Sequence, residues 1–70
     1  MKTSARNQFP GEIVSVDTGK LAAIVKVKVM GPITITSFIT RESADDLGLK
    51  KGDKVTAIVK STEVMIGKPD

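Results

Sequence analysis

Leu21-Ala22-Ala23-Ile24-Val25-Lys26-Val27-Lys28-Val29-Met30 is the stretch that decides the fold. In an extended chain Ala23, Val25, Val27 and Val29 share one face, and Ala22, Ile24, Lys26, Lys28 and Met30 share the other. A repeat of two with this much β-branched content predicts a half-buried strand. Gly31-Pro32 is a turn signal. Beyond it Ile33-Thr34-Ile35-Thr36-Ser37-Phe38-Ile39-Thr40 alternates again, with Ile33, Ile35 and Ile39 on one face. The two runs predict a long hairpin.

Upstream, Asp17-Thr18-Gly19-Lys20 reads as a turn, with Gly19 free to take positive φ. Before it Ile13, Val14 and Val16 sit among Glu12, Ser15 and Asp17, which predicts a strand over 11–17. Pro10 has no N–H for a ladder and is expected at an edge or a bulge. Downstream, Ser43 is expected to cap a short helix through Leu47. Asp46 completes an imperfect capping box, and Gly48 ends the helix. Leu47 and Leu49 are expected to plug the open end of a barrel. After the turn Lys50–Asp53 come two further predicted strands, Lys54–Lys60 and Val64–Ile66, separated by Ser61-Thr62-Glu63. The order β-β-β-α-β-β predicts an all-β fold. It describes a small five-stranded Greek-key barrel of the oligonucleotide/oligosaccharide-binding (OB) type, with one short helix after the third strand. An SH3-like barrel fits the same pattern.

Seventy residues make one domain, taken here as 1–70. A chain of this size buries only about 60% of the surface its unfolded form exposes. Domains below roughly 70–80 residues usually need a staple. There are no cysteines, which excludes disulfides and thiolate metal sites, and no histidines, which removes the commonest metal ligand and general base. Self-association is the staple that remains. Eleven Lys+Arg against eight Asp+Glu leave a net charge of +3, suited to an anionic ligand without calling for nucleic acid. The only aromatics are Phe9 and Phe38, too few for a base-stacking surface. No secretory signal or membrane-spanning run is visible, so a soluble cytoplasmic protein with no membrane partner is the expectation.

Catalysis is not expected. Asp45 and Asp46 are adjacent on a short helix and diverge, and the other carboxylates lie beside turns or on strands without a partner. Two polar segments hold more chemistry. Ser4-Ala5-Arg6-Asn7 supplies short hydroxyl and amide donors, a small residue that lets backbone N–H groups approach a ligand, and a planar cationic fork suited to tetrahedral oxyanions. On composition alone the reading as a polar terminus that frays is the stronger one. Lys60-Ser61-Thr62 interrupts a strand and reads either as an anion-binding array of N–H groups or as a solvated bulge. Thr40 ends its strand where a hydroxyl can reach a site. The Thr18-Gly19-Lys20 turn is a second, weaker anion candidate, without any P-loop or dinucleotide fingerprint.

Ser4-Ala5-Arg6-Asn7-Gln8, the run Ile35–Thr40, Leu47-Gly48-Leu49, Gly52 and Val55–Ile66 together resemble, in order and spacing, the molybdate-binding Mop domain, or molbindin. The resemblance covers nearly the whole chain and is most specific at its two ends. It implies an OB-like barrel that assembles through exchanged or shared strands, with stand-alone members forming homohexamers built as trimers of dimers. It also implies molybdate or tungstate as the bound ligand, no organic cofactor, and a role in cytoplasmic oxyanion storage or homeostasis. These 70 residues carry no helix-turn-helix or ATPase sequence, so the stand-alone role is the expectation. Position by position, the resemblance implies Ser4, Ala5, Arg6, Lys60 and Ser61 as oxyanion-binding residues, with no side chain bound directly to the metal atom. It also implies Thr40 reaching in from a neighbouring subunit, Asn7 bracing the first segment, and Thr18, Gly19 and Lys20 as a further site on a symmetry axis. The competing class is an OB-type nucleic-acid or protein-interaction module without oxyanion specificity.

Overall fold

The computed structural model describes residues 7–31 and 33–69. Among them the chain forms β1 (Asn7–Thr18), β2 (Ala22–Val29), β3 (Thr34–Thr40), a helix α1 (Arg41–Leu47), β4 (Lys54–Val59) and a 3₁₀ turn, Ser61–Glu63. The strands make one antiparallel sheet in the order β3-β2-β1-β4.

β1 is the spine. Its first half pairs with β4, from Asn7 opposite Val59 to Glu12 opposite Lys54. Its second half pairs with β2, from Gly11 opposite Val29 to Thr18 opposite Ala23. Pro10 falls in the half that pairs with β4 alone, so its missing N–H costs the β2 ladder nothing. Between Ile13 and Ser15 the register slips by one residue, which leaves Val14 as a β-bulge. The bulge explains why Ile13, Val14 and Val16 do not alternate strictly. It switches the inward positions of β1 from Ile13 to Val16, the residue paired with buried Val25. Beside it, the Ile13 N–H donates to Asp53 O (2.9 Å) and the Gly52 N–H donates to Ile13 O (2.8 Å), which fastens β1 to the turn before β4.

The hairpin reading of 21–40 holds. Ala23, Val25, Val27 and Val29 are buried, while Ile24, Lys26, Lys28 and Met30 are exposed. The core consists of Ile13, Val25, Val27 and Val29, with Val16, Ile35, Ile39, Leu49 and Val55 packed against it. Inward residues of the two outer strands, Ile35 and Ile39 on β3 and Val55 and Val59 on β4, line one cavity of about 310 Å³. The sheet is therefore curled, with its edges facing each other across the interior.

Four expectations are corrected. The Val64–Ile66 strand is not formed, and four strands are present among the described residues. An isolated strand has no ladder to satisfy its backbone, and here Met65 and Ile66 are 90% and 89% exposed. β1 starts at Asn7, because β4 offers its edge as far as Val59. The helix is capped by Thr40 rather than Ser43, and it begins at Arg41. Of the two leucines meant to plug the barrel, Leu49 packs on the core but Leu47, the last residue of the helix, is 71% exposed. The turn closes on the Gly19 N–H, which donates to Ala22 O (2.8 Å), without use of the positive φ open to a glycine. Gly48 does adopt the left-handed conformation (φ 61°), and its N–H closes the end of α1.

Candidate functional site

Of the residues singled out above, Ser4, Ala5 and Arg6 lie outside the described residues. The strand they lead into begins at Asn7, which pairs with Val59. Lys60 and Ser61 follow Val59 directly. The two predicted ligand segments are thus joined in sequence to the two partners of one cross-strand pair.

At Lys60 the chain leaves the β4 ladder in an extended conformation and tightens into the 3₁₀ turn. The first hydrogen bond of that turn is donated by Glu63 N–H to Lys60 O (2.9 Å). The Ser61 and Thr62 N–H groups precede it, which leaves two consecutive donors outside the ring. Lys60 and Ser61 are both exposed. A cation, a hydroxyl and two adjacent N–H groups form an array that favours a small anion.

Thr40 stands at the other end of β1. It pairs with Ala22, next to the Ala23–Thr18 pair that ends β1. Asn7 and Thr18 are eleven strand steps apart, and the longest dimension of the whole molecule is 37 Å. One chain therefore holds Thr40 and Lys60 apart and does not assemble them around one ion.

The Thr40 hydroxyl already has partners. It accepts from the Ser43 N–H (3.0 Å) as the cap of α1 and donates to Ser43 Oγ (2.8 Å). An oxyanion offers only acceptors, so to bind one Thr40 would have to turn its single proton away from Ser43. Ser43 Oγ–H can then reverse and donate to Thr40, which keeps every lone pair satisfied.

The Thr18–Lys20 turn lies beside Thr40. The Arg41 N–H donates to Leu21 O (2.9 Å), and Arg41 Nη1 donates to Gly19 O (3.0 Å). Arg41 Nε lies 3.1 Å from both oxygens of Asp45. The structure therefore brings Thr40 together with the weaker candidate turn, and not with Lys60 and Ser61. Sequence reasoning did not single out Arg41, and it placed Ser43 one step away from its observed partner role to Thr40. Ser43 was assigned the cap itself, and the signal for Arg41 was an arginine four residues before Asp45, at the foot of the strand.

On the outer face Glu12 lies opposite both Lys28 and Lys54. The hydrogen bond from Lys54, then its charge, and more weakly the charge of Lys28, hold the Glu12 carboxyl below its ordinary value. This ladder braces the sheet, away from the candidate segments. No helix among the described residues is long and apolar enough to cross a membrane.

Residues 3–66 match the TOBE domain family. The chain belongs to that family. This TOBE domain is 46% identical over 66 residues to molybdenum-pterin-binding protein 3 of Clostridium pasteurianum, covering 94% of this chain and 97% of that protein. Its fold superposes with a TM-score of 0.90 on a molybdate-binding protein from Sporomusa ovata, 35% identical, covering 97% of this chain and all of the other. It matches the cytoplasmic molybdate-binding protein ModG in its molybdate-bound form with a TM-score of 0.92 at 36% identity, covering 99% of this chain and 49% of that one. Within the family this TOBE domain thus groups with the Mop proteins, which agrees with the all-β curled sheet and single short helix described above.

Proposed function

We propose that this chain binds molybdate, and the isostructural tungstate, at sites formed between subunits of a homo-oligomer. The observation that carries the reading is the separation of the candidate residues. The Lys60–Ser61 array adjoins one end of β1 and Thr40 the other, a separation that supports a site closed by two chains. The names of the relatives supply the ligand.

Molybdate is a tetrahedral dianion at neutral pH, and binding replaces its water shell with fixed donors. Ser4, Ala5 and Arg6 bring a hydroxyl, a close-approach backbone and a guanidinium from one segment. Lys60 and Ser61 bring an ammonium, a hydroxyl and the leading N–H groups of the turn. Thr40 brings a hydroxyl from the neighbour. Cationic groups offset desolvation of the dianion. A cavity set by two rigid subunits favours molybdate and tungstate over the smaller sulfate. Phosphate near neutral pH carries a proton, and a site made only of donors leaves that proton unpaired.

The assembly is a hexamer built as a trimer of dimers, the whole chain acts as one domain, and its place is the cytoplasm. Its task is storage or homeostasis of the oxyanion, without catalysis, nucleic acid or organic cofactor. The extended, exposed Val64–Ile66 segment supports association, because a single chain gives it no cover. Calorimetric titration of anion-stripped protein with molybdate, tungstate and sulfate tests the reading. Saturable heat for the first two and little for sulfate is the expected outcome, with Arg6→Ala weakening it. Absence of heat and of thermal stabilisation by all three overturns it.

A further inference from the structure

The curled sheet leaves a seam without a strand, and the chain beyond it leaves an apolar segment without cover. We propose that Val64-Met65-Ile66 of a second copy of this chain fills the seam between β3 and β4 as a fifth strand, and that the exchange is reciprocal. The inference rests on the proposed function only in taking a second copy as the partner. It names the contact that joins two chains and needs no bound anion.

The seam is the host. β3 and β4 are the outer strands of the sheet, and among the described residues no further strand pairs with the free side of either. β3 carries none of the usual guards of an exposed edge. Thr34–Thr40 contains no charged residue and no proline, and its ladder with β2 runs without a bulge. Ile13, Val25, Val27, Ile35, Ile39 and Val55 line the cavity of about 310 Å³ that the two strands face across. Aliphatic walls offer water few partners, and a dry void forfeits packing on every wall.

The guest is built to match. Val64 leaves the 3₁₀ turn extended (φ −85°, ψ 125°). Met65 and Ile66 are almost wholly exposed, so the segment does not enter the seam of its own chain. As a strand in a seam it would alternate. Val64 and Ile66 would turn inward with Ile35, Ile39 and Val55, and Met65 outward with Thr36 and Phe38. Neither the segment nor β3 carries a charge, so their pairing desolvates no ion. Each chain has one such seam and one such segment, and exchange about a two-fold axis satisfies both and closes.

The chain has no cysteine, so single cysteines can be introduced to test this. Met65→Cys chains are mixed with Thr36→Cys or Phe38→Cys chains, refolded together without anion, oxidised mildly and run on a denaturing gel. A Lys51→Cys chain serves as the background. We expect Met65→Cys to cross-link to the β3 variants well above that background, in a product of two chains. Association is read separately by sedimentation of Ile66→Lys and Met65→Lys. Both residues are exposed in the single chain, yet Ile66→Lys is expected to weaken association by at least about tenfold more than Met65→Lys. Cross-linking of the mixed chains at background level overturns the proposal. So does a Thr36→Cys/Met65→Cys chain that closes on itself as a monomer, which would give the seam to its own segment. Equal association of the two lysine variants overturns it as well. Any of these results in a protein that still binds molybdate as an oligomer leaves the functional reading standing, whereas a wild type that binds no molybdate but cross-links as expected removes that reading alone.

Discussion

Replacing Gly11 by alanine tests the packing at the crossing of the sheet. Gly11 faces Val29 on β2 and Val55 on β4, the point where β1 passes from one partner to the other. A Cβ there would lie 2.7 Å from Lys28 O, 2.8 Å from Val27 Cγ1 and 3.2 Å from Val29 Cγ1. None of the three can give way cheaply. The carbonyl belongs to the β2 backbone, and the two valines are core residues, 5% and 7% exposed, with β-branched side chains that have few rotamers to retreat into. Relief requires β1 and β2 to separate locally. Overpacking of this kind costs about 1–3 kcal/mol. In a domain of this size each kcal/mol moves the midpoint by about 4–8 °C, so the expected loss is on the order of 5–20 °C. The assay is thermal unfolding by far-ultraviolet circular dichroism of anion-free protein at one fixed chain concentration, since association couples to stability. Gly19→Ala is the internal control. Its Cβ would meet only Ala22 O at 3.6 Å, and its φ is not positive. That variant is expected to be neutral or more stable by about 0.4–1 kcal/mol through a less free unfolded chain. A Gly11→Ala protein that melts together with Gly19→Ala would refute the reasoning.

Three further outcomes are expected. Thr40→Ala removes the cap of α1 and should cost about 1 kcal/mol in unfolding as well as molybdate affinity, whereas Thr40→Ser should keep both; melting curves and titrations on the same samples separate the two effects. Lys60→Ala and Ser61→Ala should each weaken molybdate by roughly tenfold while leaving the anion-free melting temperature unchanged, because both side chains are exposed. Glu12→Gln should destabilise slightly, and only above a threshold pH. The folded carboxyl titrates below its ordinary 4.5, so its contribution is complete above that value and is lost as pH falls through the folded pKa. A melting difference between Glu12→Gln and wild type that persisted at lower pH would contradict the assignment of the Lys54 contact.

The fold was legible where one face of a strand had to be apolar. Ala23, Val25, Val27 and Val29 are read correctly because burial of β2 leaves no other register. The Val14 bulge is already present in the sequence as a break in alternation, yet its position depends on the partner strand. The helix start was misplaced because Thr40 and Ser43 are both good caps three residues apart, and the strand that precedes Arg41 decides between them. The apolar run Val64–Ile66 reads as a last strand, whereas pairing needs an edge, and no strand among the described residues brings one to it. For the site, the polar ends of the chain stand out by composition, but their partners do not. Thr40 lies thirty-odd positions from Ser4, and the hydrogen bond from Arg41 to the Gly19 carbonyl beside it is one that no side-chain pattern records.

The distance between Thr40 and Lys60 along β1 has a consequence for dilution. On the proposed reading each bound oxyanion acts as a cross-link, since its two sets of donors belong to different molecules. Ligand and assembly then share one free-energy cycle. An anion at a hundred times its dissociation constant adds about 2.7 kcal/mol to whichever contact it bridges. A sparse population of chains would release its cargo simply by coming apart, and a rise in molybdate would draw the same chains together.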